Sequence, residues 1–440
     1  MGYIYPSDLA AFVFEIWQRT PGEIEGHWLN QPAYQLPSLA TLEELLSTCF
    51  QASLLVEEQR PVTFRLLFGE PEVFEPQAGP PMGLLRLLFD VPQPFSAHDL
   101  RRLSPAVRFE RSLIGVRLND EGELEIWGII HSGPRWLRLL RGGRGTSPPL
   151  PPFLVICASG RGRLEVCKGT TALAQLSEGQ LYSQSLNVFE SHWLPASFAT
   201  VRAELAELHA QSRRQEGTDW AALDPYFVKR LAQNIVKRVI ATIRGAHHGG
   251  TVVFVDPQRT ELLTEKNPYI TFKYRFRAEE ARARFRTLLV KSMNTLAAIE
   301  SGSQRPVGWK DYECSNDEML LTLDEAIFEL AHLVATLASV DGAVVMTKRF
   351  EILGFGGFIG CENAEVPVVA RALDLEGEQV CFESTASVGT RHRSAYRLCQ
   401  QWHDAVAVVV SQDDGVRFLH WKDGFVTSWN QQTLLNAMDF

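Results

Sequence analysis

Val340-Asp341-Gly342-Ala343-Val344-Val345 brings a carboxylate and a bare backbone to the lip of an apolar run. Residues 343–346 are apolar and suit a buried strand, and Asp341-Gly342 stands at its entry. A capping-box spelling, Thr322-Leu323-Asp324-Glu325, opens a helix with Ile327, Leu330, Val334 and Leu337 at helical spacing. That helix delivers the chain straight into the Asp341 strand. Further upstream, Asp224-Pro225 starts a helix carrying Phe227, Val228, Leu231, Ile235, Val236, Val239 and Ile240. It leads into Thr251-Val252-Val253-Phe254-Val255, a β-branched run suited to a strand buried on both faces. Further strands are expected over 270–276, 350–353, 380–383, 405–410 and 416–421, with helices over 278–298 and 394–402. Helices alternating with strands around one apolar sheet define an α/β class.

Working outward, residues 1–196 read as α+β. Helical patterns fill 9–18 and 42–55, and hairpins follow over 113–130 and 153–167. A charged helix over 197–215 is expected as a linker spanning 197–223, and 224–440 forms the second domain. At 440 residues the chain exceeds a single hydrophobic core. A net charge of −9 argues against a nucleic-acid partner. The N-terminal residues lack the pattern of a secretory signal, and no apolar run reaches the roughly 18–20 residues of a membrane span. A cytoplasmic protein without a membrane partner is expected. The seven cysteines lack C-x-x-C spacing and read as reduced core thiols. Trp127, His131 and Trp136 read as ordinary core or surface residues.

Four motifs carry potential chemistry. Asp341 at the lip of a buried strand needs solvent, a partner or a metal, although Asp-Gly is also a common turn. Gly389-Thr390-Arg391-His392-Arg393 precedes a helix that Thr390 could cap, and the free N–H groups there attract anions. Arg391 and Arg393 match phosphate oxygens, although an exposed basic turn explains the run equally well. Two positions apart on a helix, they point to nearly opposite sides. Leu353-Gly354-Phe355-Gly356-Gly357-Phe358 suits either a flat ligand or a bulged sheet edge. Val410-Ser411-Gln412-Asp413-Asp414-Gly415 is a strand end that reads either as a hairpin turn or as a polar site.

In this order the motifs resemble the diadenylate cyclase domain, over about 225–440. The first part resembles the DACNV-type sensor region attached to some of these cyclases. The resemblance implies condensation of two ATP into cyclic di-3′,5′-AMP with release of two pyrophosphates, at a homodimer or larger homo-oligomer. It implies a mixed sheet flanked by helices, preceded by an α+β regulatory region. Asp341 would bind Mg²⁺ or Mn²⁺ and help activate the attacking hydroxyl. Gly342 and Ala343 would pack on the nucleotide. Gly389, Thr390, Arg391, His392 and Arg393 would hold phosphates, with His392 also a metal contact. Leu353, Gly354 and Phe355 would lie near adenine, and Ser411, Gln412 and Asp413 near phosphate or metal. Val340 stands where many relatives have His, 257–320 is longer, and 361–387 forms an insert. The alternatives are a non-catalytic nucleotide or cyclic-dinucleotide sensor, and a synthase of another cyclic dinucleotide.

Overall fold

The computed structural model describes residues 3–19, 35–75, 79–80, 83–109, 111–133, 150–169, 171–177, 179–182, 187–216, 219–246, 248–263, 267–361, 364–411 and 415–431. They fall into two compact units, one ending at Tyr182 and the other beginning at Asn187. Both mix helices and strands.

The first unit opens with α1 (Pro6–Ile16) and α2 (Leu39–Ser53), followed by the small β1 (Val56–Glu57) and β2 (Arg60–Pro61) pair. Then come β3 (Phe64–Phe68), β4 (Leu85–Pro94), α3 (Ala97–Leu103), β5 (Ser112–Leu118) and β6 (Leu124–His131). The unit finishes with β7 (Leu154–Gly160), β8 (Arg163–Lys168), β9 (Thr171–Ser177) and β10 (Gln180–Tyr182). Eight strands form one sheet in the order β10-β9-β8-β7-β3-β5-β6-β4. Leu9 and Val13 of α1 and Leu42, Leu45 and Leu46 of α2 cover one face, over Leu66, Ile114 and Ile156. Register places Arg65 beside Cys157, and Cys157 beside Glu165. Glu165 is fully buried, and burial, reinforced by Cys157, drives its carboxyl well above the usual range. Trp127 is buried with Nε1 donating to the Gly69 carbonyl, and His131 pairs with the Ser112 hydroxyl. Trp136 lies outside the described residues.

The second unit contains α4 (Trp193–Ala196), α5 (Ala199–Glu216), α6 (Pro225–Gly245), β11 (Gly250–Val255) and β12 (Ile270–Arg275). There follow α7 (Arg284–Ile299), α8 (Trp309–Cys314), α9 (Glu318–Leu337), β13 (Ala343–Thr347) and β14 (Ile352–Ile359). The rest is β15 (Val368–Ala372), β16 (Val380–Ser384), α10 (Thr390–Gln401), β17 (Val406–Val410), β18 (Val416–Lys422) and β19 (Phe425–Asn430). Nine strands make a mixed sheet ordered β12-β14-β13-β11-β17-β18-β19-β15-β16. The pairs β11–β13 and β15–β19 are parallel. Val252 and Phe254 face a core shared with α6, α7 and α9, while Val253 and Val255 face α10 through Ala395, Leu398 and Trp402. The β-branched run is thus covered on both faces, as its composition demands.

Three expectations change. The helix expected as a linker belongs to the second unit: Val201 and Leu205 are buried in its core, with Val188, Phe189 and Leu194. Glu204 on α5 takes a two-pronged ion pair from Arg349, 2.6 Å on each side. Only three α5 positions are buried, so the polar remainder hid its packing face. Secondly, the insert 361–387 joins the sheet: β15 and β16 lengthen it beyond β19, and β16 covers the strand expected over 380–383. Thirdly, five cysteines are buried, but Cys314 and Cys381 are exposed.

Candidate active site

Strand register brings the scattered motifs to one end of the second sheet. In the parallel pair, Thr251 aligns with Ala343, so Asp341 and Gly249 stand at adjacent strand starts. On the other side of β11, Gly250 opposes Val410, which puts Ser411 at the same end. Two strand spacings separate the Asp341 and Ser411 positions, roughly 10 Å. Helix α10 supplies its first turn here, with Arg391 Nη1 donating to the His248 carbonyl at 3.2 Å.

Asp341 is exposed, and its carboxylate has no hydrogen-bond or ion-pair partner among the described residues. It stands free because Gly342 turns the chain with φ of +113°. A Cβ at Gly342 would lie 2.6 Å from the Gly356 carbonyl carbon. The missing side chain therefore makes room for the protein's own β14 backbone, rather than for a ligand as the resemblance implied. Ala343 and Leu353 are likewise buried in the core beneath α10. The space beside Gly354 is taken by the Tyr274 carbonyl. Phe355 is half-exposed and stacked on Tyr274 at 4.7 Å, and Phe358, the other aromatic of the motif, is exposed.

The α10 helix begins at Thr390, with Gly389 as its N-cap and no side-chain cap. Thr390 is the first helical residue and not the cap it was expected to be. First-turn N–H groups are thus left for solvent or an anion. Arg391 and Arg393 diverge: Arg391 reaches the start of β11, and Arg393 Nε donates to the Val388 carbonyl at 2.9 Å. His392 was expected to hold phosphate and contact a metal. Burial, with the charges of Arg417 and Arg391, lowers its pKa to about 4. At neutral pH it is an uncharged donor and acceptor, able to ligate a metal but not to attract phosphate by charge.

Ser411 is occupied in closing its turn, its hydroxyl donating to the Gly415 carbonyl and accepting from the Gly415 N–H. The hairpin-turn reading holds for it. Gln412 and Asp413 lie outside the described residues. Sequence reasoning passed over Arg417 and Tyr396, which the structure joins by a 3.2 Å bond from Arg417 Nη1 to the phenol oxygen. The available signal was a cation set between apolar Val416 and Phe418, two residues beyond the Gly415 turn.

Among the described residues, no three His, Cys, Asp or Glu side chains gather in a way that could hold a metal. A free exposed carboxylate is nonetheless the donor that Mg²⁺ or Mn²⁺ uses, since these ions keep several waters and draw other ligands from substrate phosphates. Asp341 fits that pattern.

Among known families, the model described as a probable sensor domain, DACNV, matches residues 31–131. That span lies in the first unit and takes in α2 through β6. None of the curated proteins matches the chain. No helix among the described residues is long and apolar enough to cross a membrane.

Proposed function

We propose that the second unit is a diadenylate cyclase, joining two ATP into cyclic di-3′,5′-AMP and releasing two pyrophosphates. The observation that carries this is the shared sheet end, where an unengaged Asp341 carboxylate stands one strand from the Arg391 anchor. In the reaction, the 3′-hydroxyl oxygen of one nucleotide attacks the α-phosphorus of the other. The bond to the bridging oxygen of the β-phosphate breaks, and pyrophosphate leaves. Such a transfer needs positioning and charge neutralisation more than covalent chemistry.

Asp341 would hold Mg²⁺ or Mn²⁺, which supplies charge neutralisation and a more acidic hydroxyl. Arg391 and the uncapped first turn of α10 hold phosphate oxygens. Half-exposed Phe355 offers an aromatic surface for a base. Because each half-reaction uses the other nucleotide, two copies face each other, each bringing one ATP. The match to a sensor family supports placing regulation in the first unit.

The test incubates the full chain with ATP and Mg²⁺ or Mn²⁺, then with mixed nucleoside triphosphates, and identifies products by mass spectrometry. Cyclic di-AMP as the main product is expected. A mixed cyclic dinucleotide would replace the substrate assignment. A second reading, nucleotide binding without turnover, is favoured by the single described carboxylate at the edge. Saturable ATP binding with no product would select it.

A further inference from the structure

On the side of α10 away from Arg391, a cavity of about 190 Å³ lies between the helix and the insert. Arg393 and Arg397 line it together with Tyr396, Thr385 and Glu365. The two arginines are one helical turn apart and share a face, where like charges repel each other. Arg397 has no hydrogen bond or ion pair among the described residues, and Arg393 spends only Nε, on the Val388 carbonyl. Tyr396 is 1% exposed. Its oxygen accepts from Arg417, while its own proton has no acceptor among the described residues. These three donor groups line the space together, and Glu365 is the one carboxylate that lines it with them. The far wall is built: Thr385 is buried, its hydroxyl donates to the Val366 carbonyl at 2.6 Å, and its N–H bonds the Pro367 carbonyl at 3.0 Å.

We infer that this cavity is a binding site for a monoanionic phosphodiester. Two guanidinium groups against the one carboxylate of Glu365 leave a single net positive charge, which matches a diester better than a doubly charged phosphate. The volume is smaller than that of a whole-ligand site. The cavity therefore takes the phosphodiester group itself and leaves the remainder of the molecule at the rim. If the second unit makes a cyclic dinucleotide, the product carries such groups, and the site binds the enzyme's own product. The assignment rests on the cavity's residues and does not require turnover.

The experiment is calorimetry on the full chain with cyclic di-AMP, in the presence of a saturating non-hydrolysable ATP analogue that fills the Asp341 end. Saturable binding is expected, weakened at least tenfold by Arg397→Gln and unchanged by Asp341→Asn. Diethyl phosphate should compete at high concentration. Glu365→Gln, a change at an exposed rim residue, should turn the preference toward inorganic phosphate. Wild-type affinity in Arg397→Gln, displacement by the ATP analogue, or no saturable binding would each overturn the site. Circular dichroism on both variants establishes that folding is retained. Should Arg397→Gln not fold, an unchanged anion preference in Glu365→Gln is sufficient to reject the site.

Discussion

The two ends of the β11–β13 pair treat charge in opposite ways. Where these strands finish, charges are matched by partners in the chain: Arg349 grips Glu204, and Arg259 reaches Asp404 at 2.6 Å. Lys348 is 6% exposed there, its pKa lowered by burial against the opposing pull of Asp404 and Asp256. Where the strands begin, among the described residues, Asp341 has no partner, α10 has no side-chain cap, and the Arg391 guanidinium donates to a backbone carbonyl. Satisfied charge holds the fold, and unsatisfied charge at a solvent-open end marks where a ligand completes the structure. In open α/β sheets ligands favour the carboxyl ends of strands. Here that end belongs to antiparallel β17, which finishes among the starts of its neighbours.

The largest expected effect is at Asp341. Asp341→Asn should lower cyclic dinucleotide formation by roughly a thousandfold or more, the scale seen when a charge stabiliser is lost from phosphoryl transfer. Next, Arg391→Gln should weaken ATP binding by about tenfold or more, read by calorimetry, because a charge-assisted phosphate contact contributes roughly 1.5–3 kcal/mol. Gly342→Ala should destabilise the second unit by about 1–3 kcal/mol in urea melts and reduce activity with it, since a Cβ meets β14 backbone at positive φ. The comparison sharpens further if the paired end behaves differently: Arg349→Ala should cost at most about 1 kcal/mol and leave ATP affinity unchanged.

The smallest effect is a pH dependence. His392 titrates at about 4 when folded, against an ordinary value near 6.5 when unfolded. Above the unfolded value neither state is protonated there, and the group contributes no penalty. As pH falls from about 6.5 toward 4, the unfolded chain takes the proton first and stability declines. Arg417→Gln removes one of the opposing charges and should raise the His392 pKa, read by NMR titration of its ring protons. An unchanged value would remove Arg417 from the site.

The α/β sheet was legible because both central strands are β-branched runs preceded by amphipathic helices. Helix starts were less so. Thr322 looks like a cap but lies inside the helix begun at Glu318. Thr322 instead bonds back to the Glu318 carbonyl, and Ser38 and Asp317 hold the true capping positions of α2 and α9. Hydroxyl residues satisfy local backbone groups in either setting, so spelling alone does not separate them. In the site, the divergence of Arg391 and Arg393 followed from helical periodicity. The neutrality of His392 did not, because it comes first from burial in the folded chain and then from the charges of Arg417, 25 positions away, and Arg391. The glycine motifs pointed to close approach correctly, but the approaching group is the chain itself.

The measurement that tests the central claim most directly sets wild type beside Asp341→Asn, each incubated with ATP and Mn²⁺ or Mg²⁺, with ATP affinity and products determined on the same samples. Wild type should form cyclic di-AMP and pyrophosphate, while Asp341→Asn should remain folded and form essentially none. Cyclic di-AMP production at an undiminished rate by Asp341→Asn, or its absence from ATP-bound wild type, would contradict the proposed activity.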